Sequence, residues 1–191
     1  SFGNGVMLVD DGASVTTETT LLGLQDSAPD GPLAQGTITL SNGATWTSTS
    51  GTNVGFAGSG TIHVQSGSTY NSEGLMTIGS LTPSGGVGTV NINGGTLNAE
   101  DLRIGTEGVA TLNITNNGQV NSTGLTHLNA GENADGSIVF DNGTFNGGTL
   151  QVNRSDISGD GTINAEGIIG GQGMGTWTFD GDDTAMDGTI T

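Results

Sequence analysis

The sequence predicts an all-β chain, a single-stranded right-handed parallel β-helix of about seven to eight coils with three short strands each. Three observations predict it. A phrase of Gly/Ala-Thr followed by an apolar–polar–apolar triplet recurs along the chain. A turn pair ending in Gly follows each clear copy. A later position, just past another short apolar run, is held only by Gly or Asn.

The clear copies are Gly36–Leu40, Gly60–Val64, Gly88–Ile92, Ala110–Ile114 and Gly136–Phe140, with weaker ones starting at Gly161 and Gly175 and a degenerate one before Asp10. Their variable spacing is too long for a hexapeptide repeat and suits three strands joined by uneven turns. Period-two alternation marks the first strand and sends pairs inward: Ile38/Leu40, Ile62/Val64, Val90/Ile92, Leu112/Ile114, Ile138/Phe140 and Trp177/Phe179. Turns follow at Asp11-Gly12, Asn42-Gly43, Ser66-Gly67, Asn93-Gly94, Asn117-Gly118, Asn142-Gly143 and Asp180-Gly181. Asn, Asp and Gly tolerate positive φ, so these pairs read as one tight corner used repeatedly.

The second strand places Trp46, Tyr70, Leu97, Val120 and Phe145 at one equivalent site. The third supplies Met76/Ile78, Leu102/Ile104, Leu128 and Leu150/Val152, and is closed by Gly79, Gly105, Asn129, Asn153 and Gly170. Pro29, Pro32 and Pro83 fall in connectors, where no ladder N–H is needed. A β-sandwich also has short strands and Gly turns, but it predicts no in-register column of Gly/Asn corners. The whole chain, 1–191, reads as one solenoid domain, less regular over 1–35 and closed by a strand-like motif at 175–191.

Composition agrees. Hydrophobic residues reach only 31% and aromatics 4%, too lean for an ordinary globular core but enough for a thin apolar column. The net charge of −17 comes from 19 acidic residues set against Arg103 and Arg154 alone, with no lysine. Without clustered cations, binding to nucleic acid is not expected and an anionic membrane surface is disfavoured. The absence of Cys removes disulfides, thiol catalysis and thiolate metal sites, and fits an exported bacterial protein. No apolar run is long enough to span a membrane. The start at Ser1 leads us to expect a processed protein or an excised piece of a longer one.

The stretch GTVNINGGTLNAEDLRIG (88–105) and its partners resemble the repeats of bacterial autotransporter passengers and PEP-CTERM surface proteins. The tail GTWTFDGDDTAMDGTIT (175–191) is similar to the autotransporter-associated β-strand motif, with Trp177 and Phe179 in its apolar slots. The resemblance covers about residues 36–191 and implies a right-handed β-helix secreted to, or held at, the bacterial cell surface. The translocator barrel and C-terminal sorting helix of those families are not in this sequence.

Stacking of consecutive coils places Thr77, Arg103, His127 and Gln151 in one outward file of the third strand, the place where a cation and a histidine become neighbours. That file is the candidate binding strip for a sugar or an acidic partner. His63, beside Thr39 and Asn91, reads as a surface residue. Catalysis is not expected. A lyase needs calcium-holding carboxylates in adjacent coils beside its base, and a hydrolase needs paired carboxylates across a cleft. Asp180, Asp182 and Asp183, and the loop Glu132–Asp135, are weak candidates for calcium, but Asp and Asn are also the default turn formers. No cofactor is expected. The sequence therefore reads as a non-enzymatic extracellular structural protein: a stalk, an adhesin or a head-to-tail filament subunit. Its partners would be copies of itself or further coils of a longer chain, with glycans or a host or matrix surface as ligands. A carbohydrate-binding or polysaccharide-degrading β-helix is the alternative.

Overall fold

The computed structural model describes residues 4–24, 34–80, 86–131, 134–152 and 156–170, and the backbone of 184–190. The described residues form one sheet and no helix. Its strands are β1 (Asn4–Val9), β2 (Ser14–Leu22), β3 (Gln35–Leu40), β4 (Thr45–Val54), β5 (Ser59–Gln65), β6 (Thr69–Ser72), β7 (Met76–Ile78), β8 (Val87–Asn93), β9 (Thr96–Ala99) and β10 (Leu102–Ile104). There follow β11 (Val109–Thr115), β12 (Gln119–Leu128), β13 (Asp135–Val152), β14 (Ile157–Gly170) and β15 (Thr184–Ile190).

All strand pairings are parallel, and they fall into three ranks. The first runs β1-β3-β5-β8-β11-β13. The second joins β2, β4, β6, β9, β12 and β13, and the third joins β2, β4, β7, β10, β12 and β13. β14 continues the sheet beyond β13, and β15 beyond β14. A parallel strand cannot return through a hairpin, so each rank recurs only after the chain has passed through the other two. The result is a parallel, β-solenoid-like fold.

The inward files run through the ranks as the alternation requires. Ile38, Ile62, Val90, Leu112 and Ile138 are successive partners, as are Leu40, Val64, Ile92, Ile114 and Phe140. The second rank stacks Trp46, Tyr70, Leu97, Val120, Phe145 and Ile163 in one file, with Tyr70, Leu97, Val120 and Phe145 fully buried. Trp46 and Tyr70 stack with ring centroids 6.3 Å apart and planes 5° from parallel. A column of small side chains, Ser48, Ser72, Ala99, Ser122 and Ala165, is buried where the second rank bends into the third. Ser48 and Ser72 donate their hydroxyls to the carbonyls of Gly51 and Gly74 and so remain satisfied away from water.

The structure changes several details read from sequence. At the corner after β11, the left-handed residues are Asn116 (φ 53°) and Asn117 (φ 61°), not Asn117 and Gly118. Two asparagines suffice there because both tolerate positive φ. At Ser66-Gly67 and Asn93-Gly94 only the glycine is left-handed, and at Asn142-Gly143 only the asparagine, so the corner is not one repeated turn. The segment beginning at Gly161 is not a first strand. Gly161, Thr162 and Ile163 pair with Gly143, Thr144 and Phe145 in the second rank, and the first-rank pairing falls on Ile157–Asp160. The phrase Gly-Thr-apolar also opens second-rank strands, at Gly95 for example, and so does not identify a rank. β2, β4 and β12 each run through the second-to-third corner as one strand, and β13 passes through all three ranks. Within 1–35, β1 and β2 pair in register with β3 and β4. Pro29, Pro32, Pro83, Asn153, Trp177, Phe179 and the Asp180-Gly181 turn lie outside the described residues.

The third-rank inward file is Thr20, Thr52, Met76, Leu102, Thr126, Leu150 and Ile168. Thr52 Oγ1 lies 3.0 Å from Tyr70 Oη, whereas the fully buried Thr126 Oγ1 has no hydrogen-bond partner. A buried hydroxyl that loses water and gains nothing is destabilising. Thr126→Val is therefore expected to raise stability by about 1 kcal/mol, read from denaturant melts. An unchanged or lower midpoint would show that the hydroxyl is satisfied.

Candidate binding surfaces

The third-rank outward file is Asn53, Thr77, Arg103, His127 and Gln151, each the strand partner of the next. Four of these are the positions expected from sequence, and the stacking brings them together. They do not contribute equally. Thr77 is 6% exposed and offers little to a ligand, while Arg103 is open to solvent and His127 and Gln151 are half-buried. The usable strip is thus Arg103, His127 and Gln151.

Burial, and secondarily the Arg103 charge beside it, holds the His127 pKa below the ordinary histidine value. His127 therefore stays neutral at neutral pH, with one ring nitrogen donating and the other accepting, next to the planar fork of Arg103. Such a pair can hold a hydroxyl or an anionic oxygen. Asp101, two residues before Arg103, is otherwise engaged: its Oδ1 accepts the Leu125 N–H at 2.8 Å.

At the first corner, Asp10 Oδ1 accepts hydrogen bonds from Ser41 Oγ (2.8 Å), Asn42 Nδ2 (2.8 Å) and the Asp11 N–H (2.9 Å). These bonds favour the carboxylate and lower its pKa, with Ser41 the largest cause. Both shifted groups bind protons less readily in the folded state than in the unfolded chain. Stability is therefore expected to fall on acidification, first as pH drops below about 6.5 through the His127 window, then below about 3.8 through that of Asp10. His127→Gln should remove the first phase from a pH series of thermal melts and leave the second. A first phase that persists in the variant would assign it elsewhere.

The first- and second-rank outer faces carry a feature not read from the sequence. In the second rank, Asn71 Nδ2 donates to Thr47 Oγ1 (3.3 Å), Asn98 to Asn71 (2.8 Å), Asn121 to Asn98 (2.8 Å), Asn146 to Asn121 (2.9 Å) and Asn164 to Asn146 (2.9 Å). The first rank has a shorter version, in which Asn113 donates to Asn91 Oδ1 (2.8 Å) and Asn91 Nδ2 lies 3.2 Å from His63 Nδ1. His63 thus belongs to an amide ladder. The signal was present in the sequence: Tyr70, Leu97, Val120, Phe145 and Ile163 are each followed directly by Asn. An inward apolar residue with an invariant neighbour across repeats marks an outward ladder.

At the N-terminal end, a cavity of about 490 Å³ opens between β1, β2 and β3, lined by Met7, Leu21, Leu22, Ile38 and Trp46 among others. Met7, which pairs with the inward Ile38, is 46% exposed there, and Val6, Leu8, Leu21 and Leu24 are exposed around it. Asp180, Asp182 and Asp183 lie outside the described residues, as does Glu132. Among the described residues, no group of three or more His, Asp or Glu side chains is placed to hold a metal ion. No protein-family model matches the chain, and neither a search of curated proteins nor one of solved structures returns a match.

Proposed function

We propose that the chain is a right-handed β-helix of seven to eight coils that serves as a non-enzymatic structural element of a bacterial surface: stalk, adhesin or filament subunit, secreted by a route of the autotransporter or PEP-CTERM kind. Right-handed winding is what parallel crossovers favour. The observation that carries the reading is the state of the N-terminal edge. Among the described residues β1 pairs only with β3 and β2 only with β4, so there each leaves one row of backbone groups without a strand partner beside the exposed inward residue Met7. An open strand edge over an uncovered apolar column is a template for another strand in the same register. Its occupant is either a preceding coil of a longer chain or the end of a second copy. Repeated head-to-tail contact would extend without closing.

Electron microscopy of the purified chain across a concentration series tests this. End-to-end particles of constant width, lengthening with concentration and lost in a Met7→Lys variant, are the expected result. Single rods of one length at every concentration overturn the self-assembling form of the proposal.

The Arg103–His127 neighbourhood favours a second reading, in which the rod carries a glycan- or anion-binding strip. Ligand-dependent stabilisation on a glycan panel, lost in Arg103→Ala and in His127→Ala, is its test. Release of reducing or unsaturated sugars would instead establish a polysaccharide-degrading enzyme.

A further inference from the structure

We infer that the second-rank outer face is a lattice-binding surface whose ligand is ice. The face is a two-dimensional grid. One file consists of hydroxyl side chains, Thr45, Thr69, Thr96, Thr144 and Thr162, with Gln119 taking one row. The second file, two residues further along each strand, is the amide ladder from Asn71 to Asn164. Rows are about 4.8 Å apart, and the two files about 6.7 Å apart along the strand.

Three properties of this grid point to a solid lattice of neutral polar groups. The first is rigidity. Each inner Asn spends one N–H on the row before and accepts one from the row after, which fixes its amide plane. One N–H and one lone pair per amide remain to face outward. Donors and acceptors are therefore ordered before any ligand arrives, and little side-chain entropy is lost on contact. Donor–acceptor distances that stay at 2.8–2.9 Å over four consecutive Asn–Asn steps also limit how far this face twists, since side-chain ladders hold sheets flat.

The second property is charge. The chain carries −17, yet neither file holds an ionisable group from Thr45 to Asn164; the carboxylates on these rows, Glu73, Glu100 and Glu166, stand two residues beyond the amide file, at the bend into the third rank. The third is the lack of an aromatic platform. Trp46, Tyr70 and Phe145 of these same strands point into the core. A soluble sugar or peptide would meet only a few rows and would need charged or stacking contacts for affinity. A crystalline polysaccharide would seek aromatic planes for its ring faces. An ice plane is neutral, repeats its oxygens at comparable intervals and meets every row at once, so weak contacts add as in any multivalent attachment. The inference is independent of what occupies the rod ends.

Thermal hysteresis and partitioning into a growing ice front, measured on the purified chain, test it. The wild-type chain is expected to show a freezing gap and faceted crystals and to concentrate in the ice fraction. Thr96→Lys and Thr144→Lys place a charge in the middle of the grid and should each lose both effects while keeping the β-type circular dichroism spectrum. Glu107→Lys, an exposed position off this face, should keep them. A wild-type chain with no gap and no enrichment in ice overturns the inference, as do lysine variants that remain fully active. Retention on crystalline cellulose or chitin without ice partitioning would also overturn it and assign the face to a glycan.

Discussion

Replacing Tyr70 with alanine is expected to lower stability by about 4 kcal/mol, a large share of what a domain of this kind possesses. Tyr70 is fully buried, stacks on Trp46 above and sits over Leu97 below. Its partners in the file, Trp46 and Leu97, are held in strand register and cannot collapse into the space. Its hydroxyl belongs to a buried polar network: Tyr70 Oη lies 3.0 Å from Thr52 Oγ1, and beside it Trp46 Nε1 donates to Thr20 Oγ1 at 3.0 Å. Burial raises the phenol pKa, so the folded state resists forming the phenolate. The unfolded chain releases that proton first, and the stability Tyr70 supplies is lost as pH rises above about 10. Tyr70→Phe should flatten this alkaline loss while costing about 1 kcal/mol for the hydrogen bond. Urea melts at pH 7 and pH 11 check both statements. An alanine variant within 1 kcal/mol of wild type would mean that the column does not carry the fold.

Gly79→Ala is expected to be nearly as damaging, and for a different reason. Gly79 has φ +67°, and a Cβ there would lie 2.6 Å from the Val109 carbonyl oxygen and 2.9 Å from Ala110 Cβ. The substitution combines backbone strain of about 1–2 kcal/mol with a clash against backbone that cannot rotate away. Gly12 isolates the first term, because it has φ +73° with nothing within 4 Å of its would-be Cβ. Gly12→Ala should cost about 1 kcal/mol and Gly79→Ala at least twice that, measured in the same melts. Equal costs would show that φ alone matters. Asn129 shows how the same column admits a side chain: its Oδ1 accepts the Gly136 N–H, and its Nδ2 donates to Gly136 O (3.2 Å) and Asp156 Oδ2 (2.8 Å). There the side chain supplies the contacts that glycine elsewhere makes room for.

The inward files were legible in sequence because burial favours an apolar residue at every second position of a strand, and most repeats obey it. Ile38, Val64, Leu97 and Phe145 could be placed by counting alone. The Gly/Asn corner was legible for a similar reason, since few residues accept its φ. What remained hidden were positions where more than one residue type satisfies the same constraint. Asn116-Asn117 makes a left-handed corner as well as Asn-Gly does. Thr52 and Thr126 occupy a file of Met and Leu and so did not register as core. The candidate strip could be aligned by stacking, but the burial of Thr77 depends on how neighbouring turns cover it, which periodicity does not encode. The Asn ladder was present as a column of identical letters. Its meaning, amides hydrogen-bonded row to row, emerges only once the rows are known to be in register.

That register is the premise for every other conclusion, and spin-label distances test it most directly. The chain has no cysteine, so pairs introduced on one outward file can be labelled without background. Thr45 is three rows from Gln119, four from Thr144 and five from Thr162. Double electron–electron resonance on Cys pairs 45/119, 45/144 and 45/162 should give distances rising by one strand spacing per row, with the last two near about 19 and 24 Å. Distances that fail to rise in equal steps, or that place residue 162 nearer to 45 than 144 is, would contradict the stacked parallel arrangement.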